Sequence, residues 1–162
     1  MVKETGNNGK GNTEERDDWW TPQWLFDHIN KQYHFGFDCC ANYDNTKCSV
    51  YSEDFLKEIG NGIGICWMNP PFSKAEKMFK HFFKIVPCGV CIYRCDNMET
   101  KVWQDIILKY ATWIFIPRGR ISYEGKKGKG SRFPSALIGF NVNPPCVSDG
   151  TTLYLNGEIK NG

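Results

Sequence analysis

The chain has 162 residues, the size of one ordinary domain, and is long enough to bury a core without disulfides. Its net charge of +2 excludes a strong overall positive field, so any contact with nucleic acid must depend on local clusters of charge. No apolar run approaches the roughly 20 residues that span a bilayer, which excludes a membrane-spanning protein. The polar N-terminus does not resemble a signal peptide, so we expect a cytoplasmic protein whose eight cysteines are reduced.

The N-terminal part of the chain divides into an arm and the start of a domain. Residues 1–17 are rich in Gly, Asn, Glu and Lys and nearly lack apolar side chains, which predicts a disordered arm. Residues 18–162 are predicted to form a single domain. The stretch WWTPQWLFDHINKQY predicts its first helix, with Thr21 as the N-cap and Pro22 at the first helical position.

Predicted strands and helices alternate in the middle of the chain. HFGFDCCA predicts a short strand that ends at Asp38, and GIGICWMN predicts a second one. Ser73 and Glu76 then have the spacing of a capping box before an amphipathic helix. GVCIYRC predicts a third strand, residues 99–109 predict a third helix, and TWIFIP, SALIGF and TLYL predict further strands. This order predicts a three-layer α/β fold whose sheet is mostly parallel, with antiparallel strands at the C-terminal end.

Paired cysteines raise the question of a metal site. The pairs Cys39/Cys40 and Cys88/Cys91 could suggest zinc, but the second pair falls in a β-rich stretch and no further Cys/His pair is suitably spaced. Free cysteine is among the most frequently buried residue types. We therefore favour packing over zinc and predict no metal.

The tetrapeptide NPPF follows the second predicted strand directly. Ligands of open α/β sheets bind at the carboxyl ends of strands, which is where both Asp38 and Asn69 are predicted to lie. Pro70 and Pro71 fix their own φ angles and restrict Asn69, so the corner is rigid. A simple turn is the alternative, since Asn and Pro both favour turns. The position between a strand and a helix favours a functional motif.

Methyl transfer to an exocyclic amino group of a base is the chemistry that most needs such a corner. The lone pair of that nitrogen is delocalised into the ring, so the amine is a poor nucleophile. A fixed amide oxygen and a backbone carbonyl can accept hydrogen bonds from both N–H groups and direct electron density toward the methyl carbon. The ring of Phe72 would stack on a base flipped out of the duplex, which contributes about 1 to 3 kcal/mol.

Several stretches of the chain, in order, carry a resemblance to a known family. They are WWTPQWLFD, FDCCA, EDFL, WMNPPF, RGRISY and PSALIGF, and they cover most of the chain from Trp19 to Phe140. In them the chain resembles the phage-type DNA N-6-adenine methyltransferase (Dam) family, which uses S-adenosylmethionine. The resemblance implies a Rossmann-like methyltransferase fold and methyl transfer to the N-6 amino group of adenine in double-stranded DNA. It implies catalytic roles for Asn69, Pro70, Pro71 and Phe72.

The resemblance also implies a cofactor site. Asp38 would lie near the methionine part of the cofactor, and Asp54 would meet its adenine amino group. The Gly-x-Gly turn common in such enzymes is replaced by DCCANYDN, where we interpret Cys39 as replacing a proline and Ala41 as permitting close approach. A solvated strand end and a helix cap are the alternatives for the two aspartates. The full implied set is Thr21, Pro22, Asp38, Cys39, Ala41, Asp54, Phe55 and Asn69.

A Gly-rich basic loop, residues 118–134, precedes the SALIGF strand. It contains one acid, Glu124, and six cations: Arg118, Arg120, Lys126, Lys127, Lys129 and Arg132. Such a loop would release counterions on binding phosphates, so we predict contact with DNA that weakens with salt. A solvated face is the alternative.

Two other functions remain open from the residues. An RNA or protein amide methyltransferase could use the same corner, and a catalytically silent DNA-binding relative could keep the corner without the cofactor. The expected partner is double-stranded DNA with a flipped adenine, and we expect a monomer.

Overall fold

The computed structural model describes residue 17 and residues 19–60, 64–125 and 132–155. Apart from Asp17, the predicted disordered arm lies outside the described residues. Lys126, Lys127 and Lys129 of the basic loop also lie outside them.

The described residues form a mixed α/β structure around a six-stranded sheet, with strand order β1-β2-β3-β7-β4-β8. The parallel pairs β1–β2 and β2–β3 are followed by antiparallel pairs of β3 with β7, β7 with β4 and β4 with β8. Strands β5 and β6 form a separate antiparallel pair. The strands are β1 (Phe37–Asp38), β2 (Cys66–Met68), β3 (Gly89–Arg94), β4 (Trp113–Pro117), β5 (Ile121–Ser122), β6 (Arg132–Phe133), β7 (Ser135–Phe140) and β8 (Gly150–Tyr154).

The prediction of a parallel beginning and an antiparallel end of the sheet is confirmed. The expectation of a mostly parallel sheet is wrong for the described residues. The reason is that β7 inserts between β3 and β4, so both of these strands pair with an antiparallel neighbour.

Three α-helices and one π-helical segment are described. The helices are α1 (Gln23–Tyr33), α2 (Ala75–Ile85) and α3 (Leu108–Tyr110), and 3-10 turns cover Phe55–Lys57 and Phe72–Lys74. The predicted third helix is present, but most of it is the π-helical segment Val102–Ile107, which leads directly into α3. Its wider turn still buries Val102, Trp103, Ile106 and Ile107.

Apolar side chains leave the sheet on both faces. In β3, Val90 and Ile92 belong to the core cluster that contains the buried residues of α1, while Cys91 and Tyr93 belong to the cluster that contains those of α2. Because successive side chains of a strand point to opposite faces, each helix covers a different side of the sheet. The carboxyl ends of the parallel strands are held rigidly between these two cores.

Both predicted helix caps are wrong, for the same physical reason. The N-cap of helix α1 is Pro22, so Thr21 lies one residue before the capping position, and its hydroxyl accepts a hydrogen bond from Asn69. The N-cap of helix α2 is Lys74, so Ser73 also lies one residue too early, and it bonds to the carboxylate of Asp17. In each case the helix begins later than the sequence pattern predicts, and the expected capping residue bonds to a residue distant in sequence.

The described residues contain no group of three or more His, Cys, Asp or Glu side chains that could hold a metal ion. All eight cysteines are free, and Cys39, Cys48, Cys66 and Cys91 are buried. No helix in the described part of the chain is long and apolar enough to cross a bilayer.

Candidate active site

A cavity of about 250 Å³ opens where strands β1 and β2 end. Its walls come from the segment that precedes α1, from the loop that follows β1, and from the NPPF corner that follows β2. Asp38 and Asn69, the last residue of β1 and the first after β2, both line it. The parallel pairing of the two strands places their ends, and these side chains, at the same edge of the sheet.

The side-chain amide of Asn69 has a defined orientation. Its Nδ2 donates hydrogen bonds to the Trp19 carbonyl oxygen at 2.8 Å and to the Thr21 hydroxyl at 3.1 Å. A carbonyl oxygen can only accept, so the nitrogen must face Trp19. The opposite group, Oδ1, has no hydrogen-bond partner among the described residues. The amide therefore offers an acceptor at the cavity and keeps its donor turned into the protein.

The ring of Phe72 lies in the cavity wall and is half-buried. Its edge contacts Tyr93 and Phe133, with ring centroids 5.6 Å and 5.7 Å away. The guanidinium of Arg94 lies over the ring at 5.7 Å, and Asp96 holds that guanidinium by two hydrogen bonds of 2.6 Å. These contacts hold the ring against β3 and β6, while it still contributes to the wall of the cavity.

Asp38 is an almost completely buried carboxylate, with 2% of its surface exposed. It accepts hydrogen bonds from the backbone N–H groups of Lys47 at 2.9 Å and of Cys40 at 3.4 Å. Burial raises its pKa to about 7, and these two N–H groups only partly oppose the rise. A cationic group that entered the cavity would therefore stabilise the ionised form of Asp38.

Lys47 brings a half-buried positive charge to the same cavity. Its ammonium donates a 2.9 Å hydrogen bond to Oε1 of Gln23, on the first turn of α1. Burial lowers its pKa, while the nearby carboxylates of Glu124, Asp38 and Asp27 act in the opposite direction. The cavity thus contains separate positive and negative groups.

A comparison with known families identifies the chain. A sequence model of the family described as DNA N-6-adenine-methyltransferase (Dam) matches residues 8–135, which is more than half of the chain. The chain belongs to this family. The match includes the segment before α1, the loop after β1 and the NPPF corner, so it contains every wall of the cavity. No curated protein matches the chain.

Membership of the Dam family implies DNA adenine N-6 methyltransferase activity in general and DNA as the substrate class. The resemblance expected from the ordered motifs is therefore confirmed. The family match does not by itself assign roles to individual residues.

Most, but not all, of the cofactor residues expected for a Dam-family protein lie at the cavity. Cys39 is fully buried in the core and does not line the cavity, whereas its neighbour Cys40 does. Asp54 is also outside the lining and pairs with Lys57 at 2.9 Å, whereas its neighbour Glu53 lines the cavity. Pro22 is buried beneath the first turn of α1. Those that line the cavity are Thr21, Asp38, Ala41, Phe55 and Asn69, with Pro70, Pro71 and Phe72 of the corner.

Sequence reasoning missed several cavity residues of this Dam-family chain. Lys47, Glu53, Asn42, Asn45 and Ser52 come from the polar loop after β1. The signal available in the sequence was the polarity of the DCCANYDN turn and the stretch that follows it. That pattern is also typical of an ordinary surface loop, so it does not distinguish cavity residues from solvated ones.

The basic loop begins next to the cavity. Trp20, which lines the cavity, forms a two-way backbone bridge with Glu124, with N–O distances of 2.7 Å and 2.9 Å. Arg118 is exposed and pairs with the equally exposed Asp149 at 3.2 Å, while Arg120 and Arg132 are exposed at the two ends of the loop. Of the described arginines, Arg132 lies on β6, Arg120 directly precedes β5, and Arg118 is tied to Asp149 instead.

Proposed function

We propose that this protein transfers a methyl group from S-adenosylmethionine to the N-6 amino group of an adenine that is flipped out of double-stranded DNA. The observation that carries the proposal is the orientation of the Asn69 amide, whose acceptor is left without a partner among the described residues. The family match supports adenine and DNA as the substrate. The alternating cores on the two faces of the sheet support a three-layer, Rossmann-like arrangement.

The chemistry of the cavity fits the cofactor. The amino-acid end of S-adenosylmethionine carries an ammonium and a carboxylate, and the cavity offers Asp38 and Lys47, of matching opposite charge. Among the described residues, the Asp38 carboxylate accepts hydrogen bonds only from backbone N–H groups, so an ammonium would add a charged partner to it. When bound, the cofactor supplies an electrophilic methyl group.

The residues of the corner would prepare the amine for that methyl group. Asn69 Oδ1 accepts one N–H of the target amine, and the carbonyl of Pro70, which has no backbone partner among the described residues, accepts the other. Both acceptors are fixed before the substrate arrives, which is the condition under which such hydrogen bonds lower a barrier most. Phe72 holds the extruded base by stacking.

The cations of the basic loop are proposed to bind the phosphates that flank the target. Arg120 and Arg132 are exposed beside the cavity wall, and Arg118 becomes available if DNA displaces its exposed partner Asp149. Exposed ion pairs contribute little to stability, so Arg118 can exchange Asp149 for a phosphate at little cost. Lys126, Lys127 and Lys129, which lie outside the described residues, are proposed to bind phosphates as well.

The decisive experiment combines labelled S-adenosylmethionine with equal amounts of double-stranded DNA, RNA and peptide. We expect label in DNA, and we expect N-6-methyladenine when DNA from cells that express the protein is sequenced with a method that detects it. Label in RNA alone would instead identify an RNA methyltransferase, and label in peptide alone would identify a protein amide methyltransferase. Binding to DNA without any affinity for S-adenosylhomocysteine would identify a catalytically silent relative.

Replacing Lys47 by Met should weaken binding of S-adenosylhomocysteine by about tenfold or more, because a charge-assisted hydrogen bond to the carboxylate is lost. Binding of 5′-methylthioadenosine, which lacks the amino-acid end, should not change. Calorimetry with both ligands measures the difference. Lys74→Met is the matched control, since Lys74 lines the same cavity but is exposed. An equal loss for both ligands would show that Lys47 supports the fold of the loop and does not bind the carboxylate.

Replacing Phe72 by Ala should reduce activity on paired DNA by an amount equivalent to about 1 to 3 kcal/mol of stacking. Phe72→Tyr should retain much of the activity, because its ring offers the same face. The deficit of Phe72→Ala should shrink on a duplex whose target adenine is mismatched, since less unpairing work remains. The measurement is turnover on the two duplexes.

Thermal unfolding separates this role of Phe72 from a structural one. The ring is half-buried, so Phe72→Ala should cost less than the about 3 to 5 kcal/mol typical of a fully buried phenylalanine. A loss of that full size, with the same activity deficit on both duplexes, would mean that the ring serves the core alone.

A further inference from the structure

The segment that precedes α1 reaches the catalytic corner through two hydrogen bonds that span about fifty residues of sequence. Asn69 Nδ2 donates to the Trp19 carbonyl at 2.8 Å and to the Thr21 hydroxyl at 3.1 Å. We propose that Thr21 and the Trp19 carbonyl are positioning groups, which fix the side-chain amide of Asn69 so that its oxygen faces the target amine. The inference rests on the proposed function, because it concerns the step in which that amine is bound.

The need for such groups follows from the shape of the amide. Oxygen and nitrogen of an asparagine side chain have nearly the same size, so rotation by half a turn exchanges an acceptor for a donor at almost no steric cost. A donor at the cavity would face the N–H groups of the target amine and could not bind them. Rotation would also direct Oδ1 at the Trp19 carbonyl, which cannot donate. The Trp19 carbonyl, which can only accept, therefore selects the productive orientation, and the Thr21 hydroxyl adds a second hydrogen bond that holds the amide in it.

The positioning groups are themselves held in place. Thr21 is 2% exposed, and the neighbouring Trp20 is bridged to Glu124 by two backbone hydrogen bonds. The Trp19 ring packs edge-on against Phe133, with centroids 5.5 Å apart. With Thr21 buried, Trp20 bridged to Glu124 and the Trp19 ring packed on Phe133, this segment is held beside Asn69. An acceptor held in this way loses no ordering entropy when the substrate arrives.

The same geometry explains why Thr21 is not a helix cap. The N-cap of α1 is Pro22, so Thr21 lies one residue before the capping position, and its hydroxyl accepts a hydrogen bond from Asn69. A cap contributes to helix stability only, whereas a buried acceptor aimed at the corner acts on the reaction. The position of the Thr21 hydroxyl is therefore explained by its hydrogen bond to Asn69 in the candidate active site and not by capping of α1.

The test compares Thr21→Val, which has the same shape but no hydroxyl, with Thr21→Ser, which keeps the hydroxyl. Under saturating cofactor and DNA, Thr21→Val should lower the rate of methyl transfer about tenfold, the typical effect of one lost hydrogen bond. The affinity for S-adenosylhomocysteine should stay within a few-fold of the parent protein. Thr21→Ser should recover most of the rate. Turnover equal to the parent for Thr21→Val, or equal impairment of both variants, would overturn the inference.

Thr112→Val controls for the loss of a buried hydroxyl as such. The Thr112 hydroxyl bonds to the Gly139 carbonyl at 3.1 Å, and Thr112 does not line the cavity. This variant should melt at a lower temperature without a matching loss of turnover per folded molecule. If it slows turnover as much as Thr21→Val, the effect at Thr21 is one of general stability, and the positioning role is refuted.

A readout that does not depend on activity separates this inference from the proposed function. In nuclear magnetic resonance spectra, the Asn69 side-chain NH₂ signals of the parent should exchange slowly with water. In Thr21→Val one of the two N–H protons should shift and exchange faster, because only the Trp19 carbonyl remains as an acceptor. Unchanged signals would refute the positioning role even if methyl transfer occurs. If the parent transfers no methyl group but the signals respond as expected, the proposed function fails while the hydrogen-bonded geometry stands.

Discussion

Asn69→Ala is expected to lower the rate of methyl transfer about 100-fold or more, the usual effect of removing a preorganised hydrogen-bond acceptor or donor from a transition state. Its Oδ1 is the only side-chain acceptor of the NPPF corner, and its nitrogen side is occupied by Trp19 and Thr21. Affinity for S-adenosylhomocysteine should change by a few-fold at most, because the amide is assigned to the target amine. The measurements are single-turnover kinetics on DNA and calorimetry with S-adenosylhomocysteine.

Two controls make this result interpretable. Asn69 also bonds to the segment before α1, so Asn69→Ala should lose about 1 kcal/mol of stability for its hydrogen bonds, and rates must be compared well below the melting temperature. Asn143→Ala changes an exposed asparagine that does not line the cavity and should have no effect on rate. Near-normal turnover of Asn69→Ala would remove the central claim of the proposed mechanism. If weaker cofactor binding explained the whole rate loss, Asn69 would be reassigned from the target amine to the cofactor.

The general position of the site could be predicted because it depends on local rules. The two prolines restrict the backbone after β2, and parallel strands bring their carboxyl ends to one edge, so Asp38 and Asn69 line the same cavity. Sequence periodicity also identified the strands from β1 to β4 and the two long helices. These inferences need no knowledge of distant contacts.

Local rules do not decide a placement that depends on a distant partner or on a shift of one residue. Cys39 was expected at the cavity, yet the side chain that turns outward after β1 is that of Cys40. The same one-residue shift places Glu53, and not Asp54, in the cavity wall. Side chains change direction from one residue to the next in extended chain, so a motif located correctly can still have its members assigned to the wrong side.

The insertion of β7 between β3 and β4 was equally beyond local reasoning. Strand pairing depends on which strands share complementary faces, and chain order alone favours neighbours in sequence. Gly139 of β7 has no Cβ atom, which leaves room for the indole of Trp113. A Cβ atom at this position would lie 1.9 Å from the indole ring. This close approach of two strands that are distant in sequence shows only in three dimensions.

Asp38→Asn is expected to raise the free energy of unfolding near neutral and alkaline pH by as much as about 4 kcal/mol. Burial raises the pKa of Asp38 from 3.8 to about 7. Each pH unit of such a difference corresponds to about 1.4 kcal/mol, so ionised Asp38 opposes folding by roughly three times that amount. Asn has nearly the same shape and can still accept the hydrogen bond from Lys47 N–H; it loses the longer one from Cys40 N–H, but it carries no charge to bury.

The pH dependence has a definite sign. The folded-state pKa of Asp38 lies above the unfolded one, so the neutral form is favoured by folding. Its contribution to stability is fully present below about pH 4 and is lost as pH rises through about 7. The stability advantage of Asp38→Asn over the parent should therefore grow between these two values and stay constant above them. Denaturant unfolding of both proteins across this range measures it, with Asp105→Asn, an exposed carboxylate, as the control.

The stabilised variant should be a poor methyltransferase, which is the expected relation where a buried charge is kept for function. If Asp38 pairs with the cofactor's ammonium, Asp38→Asn should bind S-adenosylhomocysteine at least about tenfold more weakly, through loss of a charge-assisted contact. In the parent, at a pH slightly below 7, ligand binding should release a proton, because the ammonium favours the ionised carboxylate. Calorimetry in buffers of different ionisation enthalpy detects that proton, and Asp38→Asn should release none.

If Asp38→Asn instead unfolds more easily at alkaline pH and binds the ligand as the parent does, the carboxylate serves the loop after β1 through its bonds to Cys40 and Lys47. The assignment of Asp38 to the cofactor would then be wrong.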